Sequence, residues 1–241
     1  MSQRIRLGIL TPSSNTSLEP LTQRLVADLP EVSVHFARFS VTQIALNPAA
    51  LGQFQQDRIL EAARLLADAH VDAIGWSGTA AGWLGFEQDE ALCAAITDAT
   101  GVPASTSVLA LNKALKAFDI QRLGLASPYL ADVQDKIIAN YASIGVDATA
   151  ESHLGIQENY AFALVDEATL DRQVAQVVAA GAQAVATYCT NLYAAHRVAH
   201  WEAQHGVPVL DTVTTVVWDM LRRTGVDTRR ITGWGRLLQE A

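Results

Sequence analysis

The chain is predicted to be an α/β protein of two pseudo-symmetric domains, each a mainly parallel sheet flanked by helices, with a cleft between them. Two observations carry that prediction. Short apolar runs alternate with stretches of helical spacing along all 241 residues, the pattern of parallel strands joined by covering helices. One segment also occurs twice: residues 71–79 (VDAIGWSGT) match residues 182–190 (AQAVATYCT) at a constant offset of 111 positions. Two weaker echoes agree, LGILTP at 7–12 with LGLASP at 123–128, and GVP at 101–103 with GVP at 206–208. Two similar halves facing each other place a cleft on their pseudo-twofold axis.

The elements follow in order. Residues 5–10 form a buried strand by an unbroken apolar run, and 32–39 alternate as a second strand. A helix beginning near Ser17 is capped by the polar residues before it. Ile59, Ala62, Ala63, Leu65 and Leu66 give 55–69 a helical spacing. Residues 71–76 form a strand, and 89–99 and 106–117 form helices. The second half repeats the order: strand 122–126, helix 130–143, strand 146–154, helix 167–180, strand 184–188, helix 191–204, strand 207–210 and helix 212–224. Ligands of open parallel sheets sit outside the carboxyl ends of the strands, which here are residues 11–15, 77–81, 127–129 and 188–191.

Composition narrows the class. Half of the residues are hydrophobic, but no apolar run is long enough to span a membrane. No secretory apolar segment precedes the first strand, and two cysteines do not make a disulfide framework, so a cytoplasmic setting is expected. A net charge of −8 argues against non-specific nucleic-acid binding. It does not argue against carboxylate ligands, which backbone amides bind without any net positive charge.

Several residues at strand ends could carry chemistry. Cys189 follows a buried strand and precedes the helix expected at 191–204, where the helix dipole and free amides favour thiolate. The bland alternative is a small buried hydrophobe. Cys93 lies within a helical interior and is expected to be packing. Gly78, Thr79, Ala80, Ala81 and Gly82 offer a run of amides and one hydroxyl, the parts of an oxyanion cradle, although a strand-to-helix turn needs small residues anyway. Pro12, Ser13, Ser14, Asn15 and Thr16 hold more polar groups than a helix cap requires. Tyr129 ends the matching strand of the second half, where its phenol could donate to a carboxylate. Asn159 lies in a loop, where a turn residue is equally at home. His153 falls within a strand pattern, and His196, His200 and His205 share a polar helix. No Cys/His group has zinc-like spacing, so no metal is expected, and no Walker or Rossmann loop points to a nucleotide.

At Gly78, Thr79, Tyr129 and Cys189 the chain resembles the aspartate/glutamate racemase superfamily, in its arylmalonate decarboxylase and maleate cis-trans isomerase branch. Residues 105–112 (STSVLALN), 122–126 (RLGLA) and 233–237 (GWGRL) carry the likeness further. Racemases and maleate isomerases of this superfamily use two facing cysteines, whereas arylmalonate decarboxylases keep the second and have glycine at the first. Gly78 and Cys189 match the decarboxylase arrangement, so Gly78→Cys is expected to restore a facing thiol. Gly78 and Thr79 match the loop of the decarboxylase dioxyanion hole, with Ala80 where that loop has serine, and Tyr129 matches its tyrosine. The segment 12–16 is instead similar to the isomerases, whose carboxylate-binding asparagine matches Asn15, and Asn159 matches another isomerase asparagine.

The resemblance implies domains of 1–118 plus 212–241 and of 119–211, the last segment crossing back. It also implies cofactor-independent chemistry at the carbon next to a carboxylate. The expected catalytic residues are Cys189, Thr79 and Tyr129, and the expected substrate-binding residues are Pro12, Ser13, Asn15, Gly78, Ala80, Asn159, Thr190 and Asn191. The expected reaction is decarboxylation of a substituted malonate, with Cys189 protonating the enediolate. Maleate-type cis-trans isomerisation through Cys189 is the alternative enzyme, and a carboxylate-binding protein is the non-enzymatic one. The partner is a small carboxylate or dicarboxylate, and a homo-oligomer is left open.

Overall fold

The computed structural model describes residues 4–241. Strands β1 (Ile5–Pro12), β2 (Val32–Phe39), β3 (Ala73–Trp76) and β4 (Ala104–Thr106) form one parallel sheet in the order β2-β1-β3-β4. Strands β5 (Leu123–Ser127), β6 (Glu151–His153), β7 (Ala184–Thr187) and β8 (Val209–Asp211) form a second, in the order β6-β5-β7-β8. The repeat read from the sequence is therefore a repeat of topology. It extends to register, since Leu10 pairs with Trp76 just as Ala126 pairs with Thr187.

Helices of the first half are α1 (Leu18–Leu25), α2 (Pro48–Leu51), α3 (Gln56–Asp68), α4 (Ala81–Leu84), α5 (Phe86–Thr100) and α6 (Ser107–Ala117). After them come α7 (Ala131–Ser143), α8 (Asn159–Phe162), α9 (Glu167–Ala179), α10 (Val198–His205), α11 (Thr212–Arg223) and α12 (Leu237–Glu240). Leu7, Ile9, Leu10 and Ile74 in one sheet, and Leu123, Leu125 and Val185 in the other, are fully buried. This is the apolar-run signature of strands covered on both faces.

Helix α11 leaves the second sheet and packs on the first. A side chain at Gly75 of β3 would run into Met220 and Val216 of α11, so glycine there sets how closely helix and strand approach. The starts of α6 and α11 bond to each other: Ser107 Oγ donates to the Thr212 carbonyl (2.6 Å), and Thr215 Oγ1 donates to the Ser107 carbonyl (2.9 Å). Asp219 of α11 accepts from Ser105, Lys113 and Arg223. Burial opposes its charge, but those donors hold its carboxyl below the usual range.

Four sequence expectations need correction. The strand expected over 146–154 shrinks to β6, because Asp147 Oδ1 accepts from the Thr149 amide and hydroxyl (2.9 and 2.7 Å) and folds the chain into an Asx turn. Helical structure expected from 191 begins only with a short 3₁₀ turn at Ala195–Arg197 and then α10. The strand expected at 207–210 begins after Pro208, whose ring removes a ladder donor. Leu65, counted with the apolar face of α3, is 64% exposed. Strand β4 escaped notice because Ala-Ser-Thr lacks bulk, although GVP precedes it as it precedes β8.

Two buried carboxyls lie near the sheet ends. Burial pushes Asp89 up to about 7 against a hydrogen bond from Thr106, and Asp211 up to about 6 against bonds from Thr187 and the Val213 and Thr214 amides. An acid raised in the folded state keeps a proton that the unfolded chain loses. Its contribution is therefore complete below the unfolded value near 4 and lost as pH rises through the folded one. Urea unfolding of wild type and Asp89→Asn should show wild type losing ground to the variant between about pH 4 and 7. Parallel pH profiles would contradict a buried, protonated Asp89.

Candidate active site

Each half delivers one strand end to the cleft. At the end of β7, the Tyr188 amide donates to the Ala126 carbonyl (2.8 Å), and the Leu192 amide closes a tight turn on the Cys189 carbonyl (3.2 Å). Cys189 sits in that turn, 3% exposed, with the Asn191 amide directed at its Sγ (3.4 Å). No helix starts at Asn191, so the expected dipole contribution to thiolate is absent, and only the amides remain. Burial dominates: it pushes the Cys189 thiol up to about 11, against smaller opposing effects of the Tyr129 hydroxyl and the Asn191 and Leu192 amides. Burial thus favours the protonated thiol over the thiolate.

The facing strand end carries Ser77, Gly78, Thr79 and Ala80. Thr79 Oγ1 and the Tyr129 hydroxyl share a buried 2.6 Å hydrogen bond across the two halves. One of the two hydroxyls donates in that bond, leaving the other proton for a ligand. Trp83 and Phe162 hold the Tyr129 ring edge-on at 5.3 and 5.6 Å. Burial first, and then the neighbouring Cys189, push the phenol well above its ordinary value, so it stays a donor. Gly82 is not part of a free amide run, because its N–H donates to the Thr79 carbonyl (3.0 Å) within the turn into α4.

A small cavity of about 20 Å³ lies between these groups. Pro12, Gly78, Thr79 and Ala80 line it from the first half, and Tyr129, Asn159, Cys189 and Thr190 from the second. Three expected residues lie behind that wall. Asn15 Oδ1 accepts from the Ser17 and Leu18 amides (3.0 and 2.9 Å), capping α1, and its Nδ2 reaches Thr190 Oγ1 (3.3 Å). Asn191 accepts from the Thr16 and Ser17 amides and donates to the Asn159 carbonyl (2.6 Å). Ser13 Oγ accepts from the Val41 amide (3.1 Å). These three join the halves and loops around the cavity.

Sequence reasoning missed the rest of the lining: Val41, Ile44, Phe54, Trp76 and Trp83. Residues 41–44 carry no regular periodicity, and Trp76 reads as strand core. Gly78 needs to be glycine for this reason, since a Cβ there would overlap the Trp76 indole, with Cη2 at 2.6 Å. Gly78→Cys alone therefore requires the indole to move before a facing thiol fits. A larger hollow of about 710 Å³ between α5, α6 and the 119–121 connection contains none of these cleft residues; convergent donors, not volume, identify the site.

The sequence model of a family described as "Arylmalonate decarboxylase" matches residues 17–238. An arylmalonate decarboxylase of Bordetella bronchiseptica is 28% identical over 238 residues, covering 98% of this chain and 97% of its own. A maleate isomerase of Pseudomonas putida is 28% identical over 253 residues, covering all of both chains. Among solved structures, a cysteine-to-serine mutant of Nocardia farcinica maleate cis-trans isomerase bears a covalently bound succinylcysteine intermediate. It superimposes with a TM-score of 0.90 at 22% identity, covering 98% of this chain and 99% of that one. A liganded double mutant of arylmalonate decarboxylase gives 0.87 at 24%, covering 99% and 100%. At these identities the structural likeness speaks for the fold. No described helix is long and apolar enough to cross a membrane.

The protonation state of Cys189 is open to measurement. Thiolate absorbance of wild type minus Cys189→Ser should stay flat from about pH 6 to 9 and rise only towards the value near 11 that burial sets. A thiolate signal appearing near pH 7 would show that the amides outweigh burial.

Proposed function

The chain belongs to the arylmalonate decarboxylase family and is an enzyme of it, and we propose that it decarboxylates a substituted malonate without a cofactor. The observation that carries this reading is a buried thiol, its ionisation opposed by that burial, beside a cross-half pair of hydroxyl donors, with no thiol facing it. One substrate carboxylate takes the free proton of the Thr79–Tyr129 pair and the amides of the Gly78 loop. The other faces Val41, Ile44, Phe54 and Trp76, where a charge is poorly solvated. The bond from the α-carbon to that carboxylate breaks, carbon dioxide leaves neutral, and the electron pair moves into the retained carboxylate as an enediolate. Cys189 Sγ–H then protonates the α-carbon, and the thiolate regains a proton from solvent. The donor cradle is strongest where the enediolate charge develops, so it favours the transition state over the ground state.

A maleate-type isomerisation is the second reading. Asn159 lines the same cavity, and the buried indole N–H of Trp83 has no acceptor among the described residues; both suit a second carboxylate. That reaction needs thiolate to add to the alkene. Burial opposes ionising Cys189, whereas the acid role uses the protonated form that burial favours. That difference favours the decarboxylase reading.

Cys189→Ala should lower kcat by on the order of 10²–10⁴, the range for a positioned general acid. Cys93→Ala, in α5 and outside the catalytic cavity, should leave it nearly unchanged. Full malonate turnover by the Cys189 variant would remove the thiol from the mechanism. Tyr129→Phe deletes one hydroxyl and should lower kcat by about 10²–10³; an unchanged kcat/KM would take Tyr129 out of the cradle. In deuterium oxide the product should carry one α-deuteron on a single face, whereas conversion of maleate to fumarate with malonates untouched would select the second reading.

A further inference from the structure

We propose that Trp83 is a carboxylate-binding residue of this site, its indole N–H serving as a further donor of the cradle that Thr79 and Tyr129 begin. The inference rests on the cradle in the reading above and deepens it by assigning a donor from outside the Gly78 loop.

Trp83 is 7% exposed, and its Nε1 is buried with no acceptor among the described residues. Among the described residues lining the catalytic cavity, no other buried side-chain nitrogen or oxygen lacks a partner. The neighbouring donors are engaged within the protein. Thr190 Oγ1 donates to the Ser77 carbonyl (3.2 Å), and Asn159 Nδ2 donates to Ser14 Oγ (2.7 Å). Thr79 and Tyr129 spend one proton on each other. A buried donor without an acceptor costs stability, and native proteins keep few of them. For Trp83 the acceptor comes from whatever enters the cavity.

Local structure carries the indole to the cradle. At Ala80 the backbone is already helical (φ −58°, ψ −34°), and the Trp83 amide donates to the Ala80 carbonyl (3.1 Å). Thr79 and Trp83 are four residues apart across that turn, the spacing that puts two side chains on one face. Both line the cavity, with Ala80 between them bringing no hydroxyl. The Trp83 ring meets Tyr129 of the other half edge-on, with centroids 5.3 Å apart, and meets Phe54 in the same manner at 6.0 Å. Two ring contacts fix the indole plane, so the donor is in place before charge develops.

The chemistry of the group fits an oxyanion. An indole donates without accepting or ionising, so it offers a hydrogen at any pH and adds no charge to the pocket. Its bond to a carboxylate oxygen is charge-assisted and stronger than a neutral one, and exclusion of water strengthens it further. The bond gains strength as the retained carboxylate becomes an enediolate. In the free protein the same N–H is a burden, because it is desolvated and unpaired. Removing it should therefore spare the fold and weaken the reaction.

The test is Trp83→Phe, which deletes the N–H and keeps an aromatic ring. Its kcat on phenylmalonate should fall by about 10²-fold, the effect of losing one oxyanion donor, while its Tm without ligand stays level or rises. A packing role alone predicts the reverse, a lower Tm with kcat nearly kept. In protein labelled with ¹⁵N at its five tryptophans, the indole resonance missing from Trp83→Phe identifies Trp83. Saturating phenylacetate, a monocarboxylate, should move that resonance downfield as the charge-assisted bond forms. An unchanged kcat in the folded variant overturns the proposal. So does a Trp83 resonance left in place at saturation, the result for an N–H resting on an aromatic face. Movement by phenylmalonate in the Cys189→Ala protein but not by phenylacetate also overturns it, since the indole would then serve the second carboxylate. Each of these leaves the malonate reading standing. Movement by phenylacetate with no malonate turned over by wild type overturns the malonate reading and keeps Trp83 in the cradle. Failure of both carboxylates to bind overturns the two together.

Discussion

The site depends on how the carboxyl ends of two sheets are made to meet. Backbone groups at strand ends have lost their ladder partners, and between the two halves they are shielded from water. Side chains replace those partners. Asn191 takes the Thr16 and Ser17 amides and gives a hydrogen to the Asn159 carbonyl; Thr190 donates to the Ser77 carbonyl; Asn15 takes the Ser17 and Leu18 amides. Each such group left unpaired would cost about 1–3 kcal/mol. Several together approach the 5–15 kcal/mol that holds a whole domain folded. The bonds of Asn191 and Thr190 to the first half therefore help fix how one half docks on the other. The Thr79–Tyr129 pair, one residue from each half, inherits that precision.

Within this symmetric frame the two halves do different work. The repeat places Gly78 opposite Cys189 and Trp76 opposite Thr187. A bulky ring two residues before the loop requires glycine at the next position on the same side, while a small residue there leaves room for a thiol. An indole at 76 and a side chain at 78 exclude each other. The lone cysteine is thus one half of a paired steric choice, with consequences for both the direction of protonation and the shape of the pocket. Sequence alone displays the Gly/Cys difference but not its coupling to Trp76, because the coupling runs through the fold of an indole back over its own strand.

Much of the architecture was legible because parallel strands buried on both faces need continuous apolar runs, and the repeat doubled every signal. Where the reading failed, a local polar bond had overridden the pattern. Asp147 turns the chain at Thr149 and breaks an otherwise apolar strand. Asn191, which could have begun a helix, spends its side chain on the other half. Among the expected site residues, Gly78, Thr79, Tyr129 and Cys189 were visible as strand-end residues and do converge on one cavity. Asn15, Ser13 and Asn191 look like ligand-binding groups in sequence for the same reason that they bond so well to backbone, and no local pattern separates those uses. The apolar walls from Val41 to Phe54 come from a segment without periodicity, and only tertiary packing brings them to the site.

Burial also connects the chemistry to the architecture. In the proposed decarboxylation, the surroundings that make Cys189 a poor thiolate keep it a ready acid, since an enediolate carbon is far more basic than a thiolate. The same low-polarity surroundings strengthen the Thr79–Tyr129 donors, because hydrogen bonds and charges interact more strongly where water is excluded. Exclusion of water rests on the pairing of residues 42–44 with 157–159, which closes the cavity and also spans the two halves. In that proposed reaction, acid, cradle and dry walls depend on one closed interface. A polar substitution that let water into the cavity would act on all of them together, lowering the thiol's pKa and weakening the cradle in one step.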